Sequence, residues 1–170
     1  MKKIGTRSDQ RVGGGGSRRP SILPRKELLL YVEDDDDNWQ VARLRLRGGY
    51  DVLRAANSKE ACALLSEHAS SLSAILMDIE LRDSELNGIQ LTQLIRGKTT
   101  IVGLPVYARS VPQLSTPIIF VTAHGARYSD THLMLAGCDK VIAKPVDFGA
   151  LNVALTQLHL SRVARTSRRP

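Results

Sequence analysis

The sequence predicts an α/β fold, a doubly wound five-stranded parallel sheet in the order 2-1-3-4-5 with helices on both faces, and three observations carry that prediction. Five short runs are apolar at nearly every position rather than at every second one, as parallel strands buried on both faces must be. Segments with helical spacing and helix punctuation lie between them, so that strand and helix alternate along the chain. Polar residues with chemical capability follow the strands instead of interrupting them.

The first run is Leu28-Leu29-Leu30-Tyr31-Val32, followed by the acidic Glu33-Asp34-Asp35-Asp36-Asp37. Acids favour the start of a helix, and Asp36 to Arg47 reads as one, stopped by Gly48-Gly49. A second strand from Tyr50 to Leu53 ends in an unremarkable Arg54-Ala55. Asn57 and Glu60 form a capping-box-like start for a helix carrying Ala61, Leu64 and Leu65. Ala74-Ile75-Leu76-Met77 is the third strand, and Leu91, Leu94 and Ile95 show helical spacing after Gly88. Ile118-Ile119-Phe120-Val121 is the fourth, followed by a helix from Ser129 or Asp130 to Gly137. Val141-Ile142-Ala143 is the fifth, and Leu151, Leu155 and Leu158 make one face of a last helix with Asp147 near its N-cap. The stretch 98–116, with Pro105 and Pro112, is longer than an ordinary connection and reads as an insertion.

The net charge of +7 divides unevenly. Residues 1–26 carry +7 and include Gly13-Gly14-Gly15-Gly16, and their low apolar content predicts a disordered basic tail. Residues 161–170 hold four arginines and read as a second basic tail. The segment 27–160 between them has 12 bases and 16 acids, so the domain itself is acidic. A basic nucleic-acid-binding fold is therefore not implied, and the tails read first as solubilising ends. Aromatic residues make up 4% of the chain, too few for a base- or sugar-stacking surface. No apolar run nears the ~20 residues of a membrane helix, and no apolar stretch follows Met1-Lys2-Lys3 as a secretory signal would require. Cys62 and Cys138 have neither metal nor redox spacing and read as small buried hydrophobes in a reduced, cytoplasmic setting.

Open α/β sheets bind ligands beyond the carboxyl ends of their strands, where the strand order reverses. Glu33 and Asp34 follow the first strand, Asp78 the third, Thr122 the fourth and Lys144 the fifth. Carboxylates converging there repel one another unless a cation joins them, and hard oxygen ligands suit magnesium. An ammonium at Lys144 and a hydroxyl at Thr122 supply what an incoming phosphoryl group requires, since phosphoryl transfer is mostly positioning and charge neutralisation. Asp78 is the natural acceptor, Asp35, Asp36 and Asp37 belong to the helix start, and His68, His124, His132 and His159 are scattered. Trp39, the sole tryptophan, lies five residues past Asp34 and reads as a packing residue able to report on the acidic pocket.

Tyr31-Val32-Glu33-Asp34, Leu76-Met77-Asp78-Ile79, Phe120-Val121-Thr122-Ala123 and Ala143-Lys144-Pro145 resemble, in order, the four motifs of two-component response-regulator receiver domains. The resemblance covers residues 27–160 and is to the single-domain, chemotaxis-regulator-like kind, with a flavodoxin-like three-layer fold. It implies that Asp34 and Asp78 bind magnesium directly, Glu33 mainly through water, and Glu80 through its backbone carbonyl. It implies further that Asp78 takes the phosphoryl group from a phosphohistidine on a histidine kinase or phosphotransfer protein. Lys144 and the Thr122 hydroxyl would then hold phosphoryl oxygens, beside a small Ala123 and a cis Lys144-Pro145 bond. Such a chain is a switch rather than an enzyme with turnover, catalysing only its own phosphorylation and dephosphorylation. It signals to a downstream protein through the face of the fourth and fifth helices, here 127–136 and 147–160. With only a short tail after residue 160, no output domain is expected.

The sequence also departs from the family pattern. Gly88 lies ten residues beyond Asp78, about two more than usual, so the loop from Ile79 to Asn87 is lengthened. Val141 stands where many receivers carry Tyr or Phe, and Glu80 and His124 occupy positions that commonly tune phosphate loss. Three other readings are defined by these residues: a degenerate, phosphate-independent interaction module, a magnesium-dependent phosphatase with Glu80 as acid/base, and nucleic-acid binding through the tails. The insertion reads as a lid or partner-specific loop against the fourth helix.

Overall fold

A computed structural model of the chain describes residues 26–98, 101–123 and 128–166. Five strands, β1 (Glu27–Val32), β2 (Tyr50–Ala55), β3 (Leu72–Met77), β4 (Ile118–Thr122) and β5 (Lys140–Ala143), form one parallel sheet in the order β2-β1-β3-β4-β5. The expected order holds, with the reversal between β1 and β3. Five helices connect and cover the strands: α1 (Asp36–Leu46), α2 (Ser58–His68), α3 (Gly88–Ile95), α4 (Asp130–Ala136) and α5 (Phe148–Thr166).

Side chains alternate across a strand, so the continuous apolar runs serve two cores. Leu30, Val32, Ile75, Met77, Ile118 and Phe120 face the layer of α2, α3 and α4, where Leu65, Leu91 and Leu133 meet them. Leu29, Tyr31, Ala74, Leu76, Ile119 and Val121 face α1 and α5, against Leu46, Leu151 and Leu155. Most of these are fully buried, and truncating one such as Phe120 to Ala would cost about 3–5 kcal/mol.

The punctuation is realised in the caps. Asp35 accepts from the Asn38 amide at the start of α1, and Asn57 from the Glu60 amide at the start of α2. The Glu60 carboxylate reaches back to the Ala56 amide (2.8 Å), so that box closes one residue earlier than the sequence suggests. Asn87 and Gln90 make a complete capping box on α3. Ser129 caps α4, whose far end turns at Gly137 with φ 111°, a left-handed conformation that glycine adopts without strain.

Two expectations are corrected. The last helix continues through residues 161–166, read from sequence as tail, and the Arg162 guanidinium donates to the Leu72 carbonyl at the start of β3 (3.1 Å). The insertion was expected against the fourth helix, but its short 3-10 turn at Val106–Ala108 packs against α2. Ala108 is fully buried there, and the Tyr107 hydroxyl lies 2.8 Å from Ser58 Oγ. The apolar Leu104, Tyr107, Val111 and Leu114 explain this, since they complete the α2–α3 core rather than stand over it. Residues 1–25, 124–127 and 167–170 lie outside the described residues, and with them most of the N-terminal tail, His124 and the end of the basic C-terminus.

Candidate functional site

Ending β1, β3, β4 and β5 side by side brings the residues that follow them to one edge of the sheet. Glu33, Asp34 and Asp78 each offer a carboxylate oxygen, all within 4.8 Å of one another. Lys144, 66 residues from Asp78 in sequence, places its Nζ 2.5 Å from Asp78 Oδ2 and 2.7 Å from Glu33 Oε2. Thr122 is fully buried at the end of β4, and its carbonyl accepts from the Lys144 amide (2.9 Å), which ties the fourth and fifth strand ends together. The Lys144-Pro145 peptide is cis.

Each charge is set by its surroundings. Asp78 is almost fully buried, and burial is the largest influence on its carboxyl, pushing the pKa up. The Lys144 ammonium pulls it down, the neighbouring Glu33 pushes it up again, and the net direction is upward. Burial opposes the charge of Lys144, but hydrogen bonds to Asp78 and Glu33 outweigh it and raise the ammonium's pKa. Lys144 is therefore a cation held against Asp78.

Glu33 has no exposed surface and is fully engaged. Its carboxylate accepts from the Tyr31 hydroxyl (2.7 Å), the Asn38 side-chain amide (3.2 Å) and the Asp35 backbone amide (3.3 Å), besides Lys144. Tyr31 is buried, and burial together with Glu33 keeps its hydroxyl protonated as a donor. Neither Tyr31 nor Asn38 stood out in the sequence as more than strand and helix residues. The period-2 relation of Tyr31 to Glu33 was the available signal, because both point to the same face of β1.

Arg54, passed over as an unremarkable strand end, clamps the acidic turn. Its guanidinium donates to the carbonyls of Glu33 and Asp34 (3.0 Å each) and to Asp36 Oδ1 (2.6 Å), and lies 5.9 Å from the Trp39 ring centre. A base ending the strand beside five consecutive acids was the signal for it. Asp35 caps α1 through the Asn38 amide, and that bond is the first cause of its lowered pKa. The helix-start reading of Asp35 to Asp37 stands.

The lengthened loop between β3 and α3 brings two further residues to the edge. Arg82 approaches Asp34 through both its amide (3.2 Å) and Nε (2.5 Å), and reaches Asp35 Oδ2 at 3.3 Å. Asp83 follows with φ 52°, in the left-handed region that Asp tolerates better than most residues. Gly88 closes the loop, donating its amide to the Ile79 carbonyl (2.9 Å), and a Cβ there would collide with the backbone carbonyl of Asp78. Asp34, Asp78, Glu80, Arg82 and Ala123 line a cavity of about 190 Å³. Glu80 thus stands at the rim, and Ala123 is the small neighbour expected beside the acceptor.

Three carboxylates at this range carry more negative charge than one ammonium balances, and all of the ligand atoms are hard oxygens. That donor set fits magnesium, with Asp34 and Asp78 the carboxylates facing the cavity and Glu33 turned toward Lys144.

The site and the fold have known counterparts. The family profile described as response regulator receiver domain matches residues 29–156. The polar-differentiation response regulator DivK of Brucella anthropi is 31% identical over 98 residues, 58% of this chain and 67% of that protein. Two other curated relatives, YrkP of Bacillus subtilis and an NtrX-like regulator of Rickettsia conorii, match over only 34% and 20% of their own length. Among solved structures, the receiver domain of the sensor histidine kinase PA1611 of Pseudomonas aeruginosa, with a magnesium ion in its active site cleft, is 28% identical. It superposes with a TM-score of 0.61 over 79% of this chain and 98% of its own. The receiver domain of Ssk1 of Saccharomyces cerevisiae, crystallised with the histidine phosphotransfer protein Ypd1, is 26% identical. Its TM-score is 0.62, over 81% of this chain and 91% of its own.

Proposed function

We propose that this chain, which belongs to the response regulator receiver domain family, takes a phosphoryl group from a phosphohistidine onto Asp78 and signals through protein contacts. One observation carries the reading: Lys144 Nζ lies against the buried Asp78 carboxylate, at the strand-order reversal and beside a cavity wide enough for a phosphoryl group.

In the reaction, a carboxylate oxygen of Asp78 attacks phosphorus, the P–N bond to the donor imidazole breaks, and the imidazole nitrogen leaves with the bond's electron pair. Lys144 follows the negative charge from the Asp78 carboxylate to a phosphoryl oxygen, keeping its contact with Glu33 as it does. Thr122, at the end of the neighbouring strand, donates its hydroxyl to a second phosphoryl oxygen. Asp34, Asp78 and the Glu80 carbonyl would hold magnesium, with Glu33 acting through water, and the ion would supply neutralisation of the remaining negative charge.

The donor is a histidine kinase or a phosphotransfer protein, in keeping with the Ypd1 complex of the related yeast receiver domain. The chain turns over no external substrate and catalyses only its own phosphorylation and dephosphorylation, in the cytoplasm. No helix among the described residues is long and apolar enough to cross a membrane. The downstream partner is a protein, reading the face of α4 and α5, where Met134, Leu135 and Val153 are exposed apolar side chains. A second reading, the phosphate-independent interaction module, is favoured by one contact, the Arg82 guanidinium already seated on Asp34.

Intact-protein mass after incubation with magnesium and acetyl phosphate tests the two. We expect a gain of one phosphoryl group in the wild type, none in Asp78→Asn, and none when magnesium is chelated. Absence of any gain in the wild type, with acetyl phosphate and with candidate kinases, would select the interaction module.

A further inference from the structure

Arg82 is a residue the phosphorylation chemistry above does not use. It sits four positions beyond the acceptor, in the loop that is two residues longer than the family pattern, and its guanidinium bridges two carboxylates. Nε is 2.5 Å from Asp34 Oδ2, and Nη2 is 3.3 Å from Asp35 Oδ2. The Arg82 backbone amide donates to the same Asp34 oxygen (3.2 Å), so the loop itself aims the side chain there. Asp34 is the one of the three clustered carboxylates with no recorded contact to Lys144. Glu33 and Asp78 share Lys144, whereas the Asp34 carboxylate is met by Arg82.

We infer that Arg82 is the resident counter-cation of Asp34, competing with magnesium for that carboxylate and so setting the metal affinity of the site. The inference rests on the reading that Asp34 is a magnesium ligand. Both Arg82 bonds fall on Oδ2, so a dication on this carboxylate must share that oxygen or sit beside the guanidinium charge, and one of the two cations gives ground. Exposure decides which. The Arg82 side chain is 71% exposed against 11% for Asp34, and an exposed ion pair holds its partners only weakly. Arg82 therefore tunes the site and does not close it. Truncating it takes one of the two bonds off Oδ2, the backbone amide keeping the other, and also removes a positive charge close to the incoming dication, and both changes act in the same direction. On release the guanidinium remains at the rim of the cavity it already lines with Asp78 and Glu80.

Magnesium titration followed by the fluorescence of Trp39, the sole tryptophan and one turn into α1 from the acidic turn, tests this without any phosphorylation. The proteins are wild type, Arg82→Ala, Asp34→Asn and the double variant, and all changes are to polar edge residues outside the core. We expect Arg82→Ala to bind magnesium about three- to fivefold more tightly than wild type. We expect Asp34→Asn to weaken binding at least about tenfold, and Arg82→Ala to add nothing in that background. Unchanged or weaker binding by Arg82→Ala would overturn the inference while leaving the metal site intact. So would an equal gain in the presence and absence of Asp34, which would mark a long-range field instead of competition. Magnesium binding by Asp34→Asn at wild-type strength would withdraw the metal site, and the role of Arg82 with it.

Discussion

At the amino end of the sheet, the Arg96 guanidinium donates to the carbonyls of Gly137 (2.9 Å) and Leu114 (2.6 Å) and to Asp139 Oδ2 (2.9 Å). That same Asp139 oxygen accepts from the Ile118 amide (2.8 Å) at the start of β4. One cation meets one anion, and the donors that remain meet backbone oxygens. At the carboxyl end, Glu33, Asp34 and Asp78 crowd within 4.8 Å around a single ammonium, with Arg82 borrowed from a surface loop. Both ends gather charge, but only one balances it. A balanced pair fastens α3, the insertion, β4 and the turn before β5 to one another and has no reason to change partners. An unbalanced cluster is held together by the surrounding fold and gains by accepting a cation. Stability and function are thus separated along the strands of one sheet, by about the length of a strand.

The contrast can be broken most forcefully at its stable end. Arg96→Met should cost about 2 kcal/mol, because two carbonyls lose their donor and Asp139 keeps only the Ile118 amide. Urea unfolding measures the loss, and the magnesium response of Trp39 should be unchanged. A cost under about 1 kcal/mol would show that water replaces the guanidinium and that this end is not a fastening.

A smaller effect of opposite sign is expected at the other end. Asp78→Asn removes a buried charge and its repulsion with Glu33, and should raise Tm at neutral pH by a few degrees. The pH dependence follows from the direction of the shift. A carboxyl whose folded pKa is raised contributes stability below its ordinary pKa, and loses it as pH rises through the folded value. The advantage of the Asn variant is therefore largest at pH 7 and shrinks on acidification toward the ordinary carboxylate range. Thermal melts of the two proteins across that interval would decide, and a constant difference would show that Asp78 does not carry the charge cost.

The smallest test concerns a defect near neither end. Thr92, fully buried on α3, has a hydroxyl with no hydrogen-bond partner among the described residues. Thr92→Val keeps the shape and removes the unpaired group, so stability should rise by about 0.5–1 kcal/mol in urea unfolding. A loss instead would mean that the hydroxyl is satisfied by ordered water, and that even the core helices carry structural polar contacts.

Much of this arrangement is legible without coordinates. Leu28 to Val32 and Ile118 to Val121 are apolar throughout because both of their faces are covered, and the residues that follow each strand are chemically loaded because that edge is the binding edge. The caps at Asn57, Ser129 and Asp147 are readable because each is a bond over two or three residues. The helical continuation past residue 160 was not readable, since residues 161–166 offer only Val163 and Ala164 as apolar residues, and Arg162 reaches β3, 90 residues away. The packing of the insertion on α2 was missed for a different reason, because Leu104, Tyr107, Val111 and Leu114 stand at helical spacing while Pro105 and Pro112 interrupt any continuous helix.

Sequence alone determined the strand and helix alternation, the two-faced burial of the sheet and the identity of the residues at its carboxyl edge, because periodicity and capping act over a few residues. Tertiary structure decided which charge meets which. Lys144 between Glu33 and Asp78, Arg54 on the carbonyls of Glu33 and Asp34, and Arg82 on Asp34 are contacts between residues 20 to 111 positions apart. Such pairings follow from the handedness of the crossovers and the path of one lengthened loop, and no local pattern of residues encodes them.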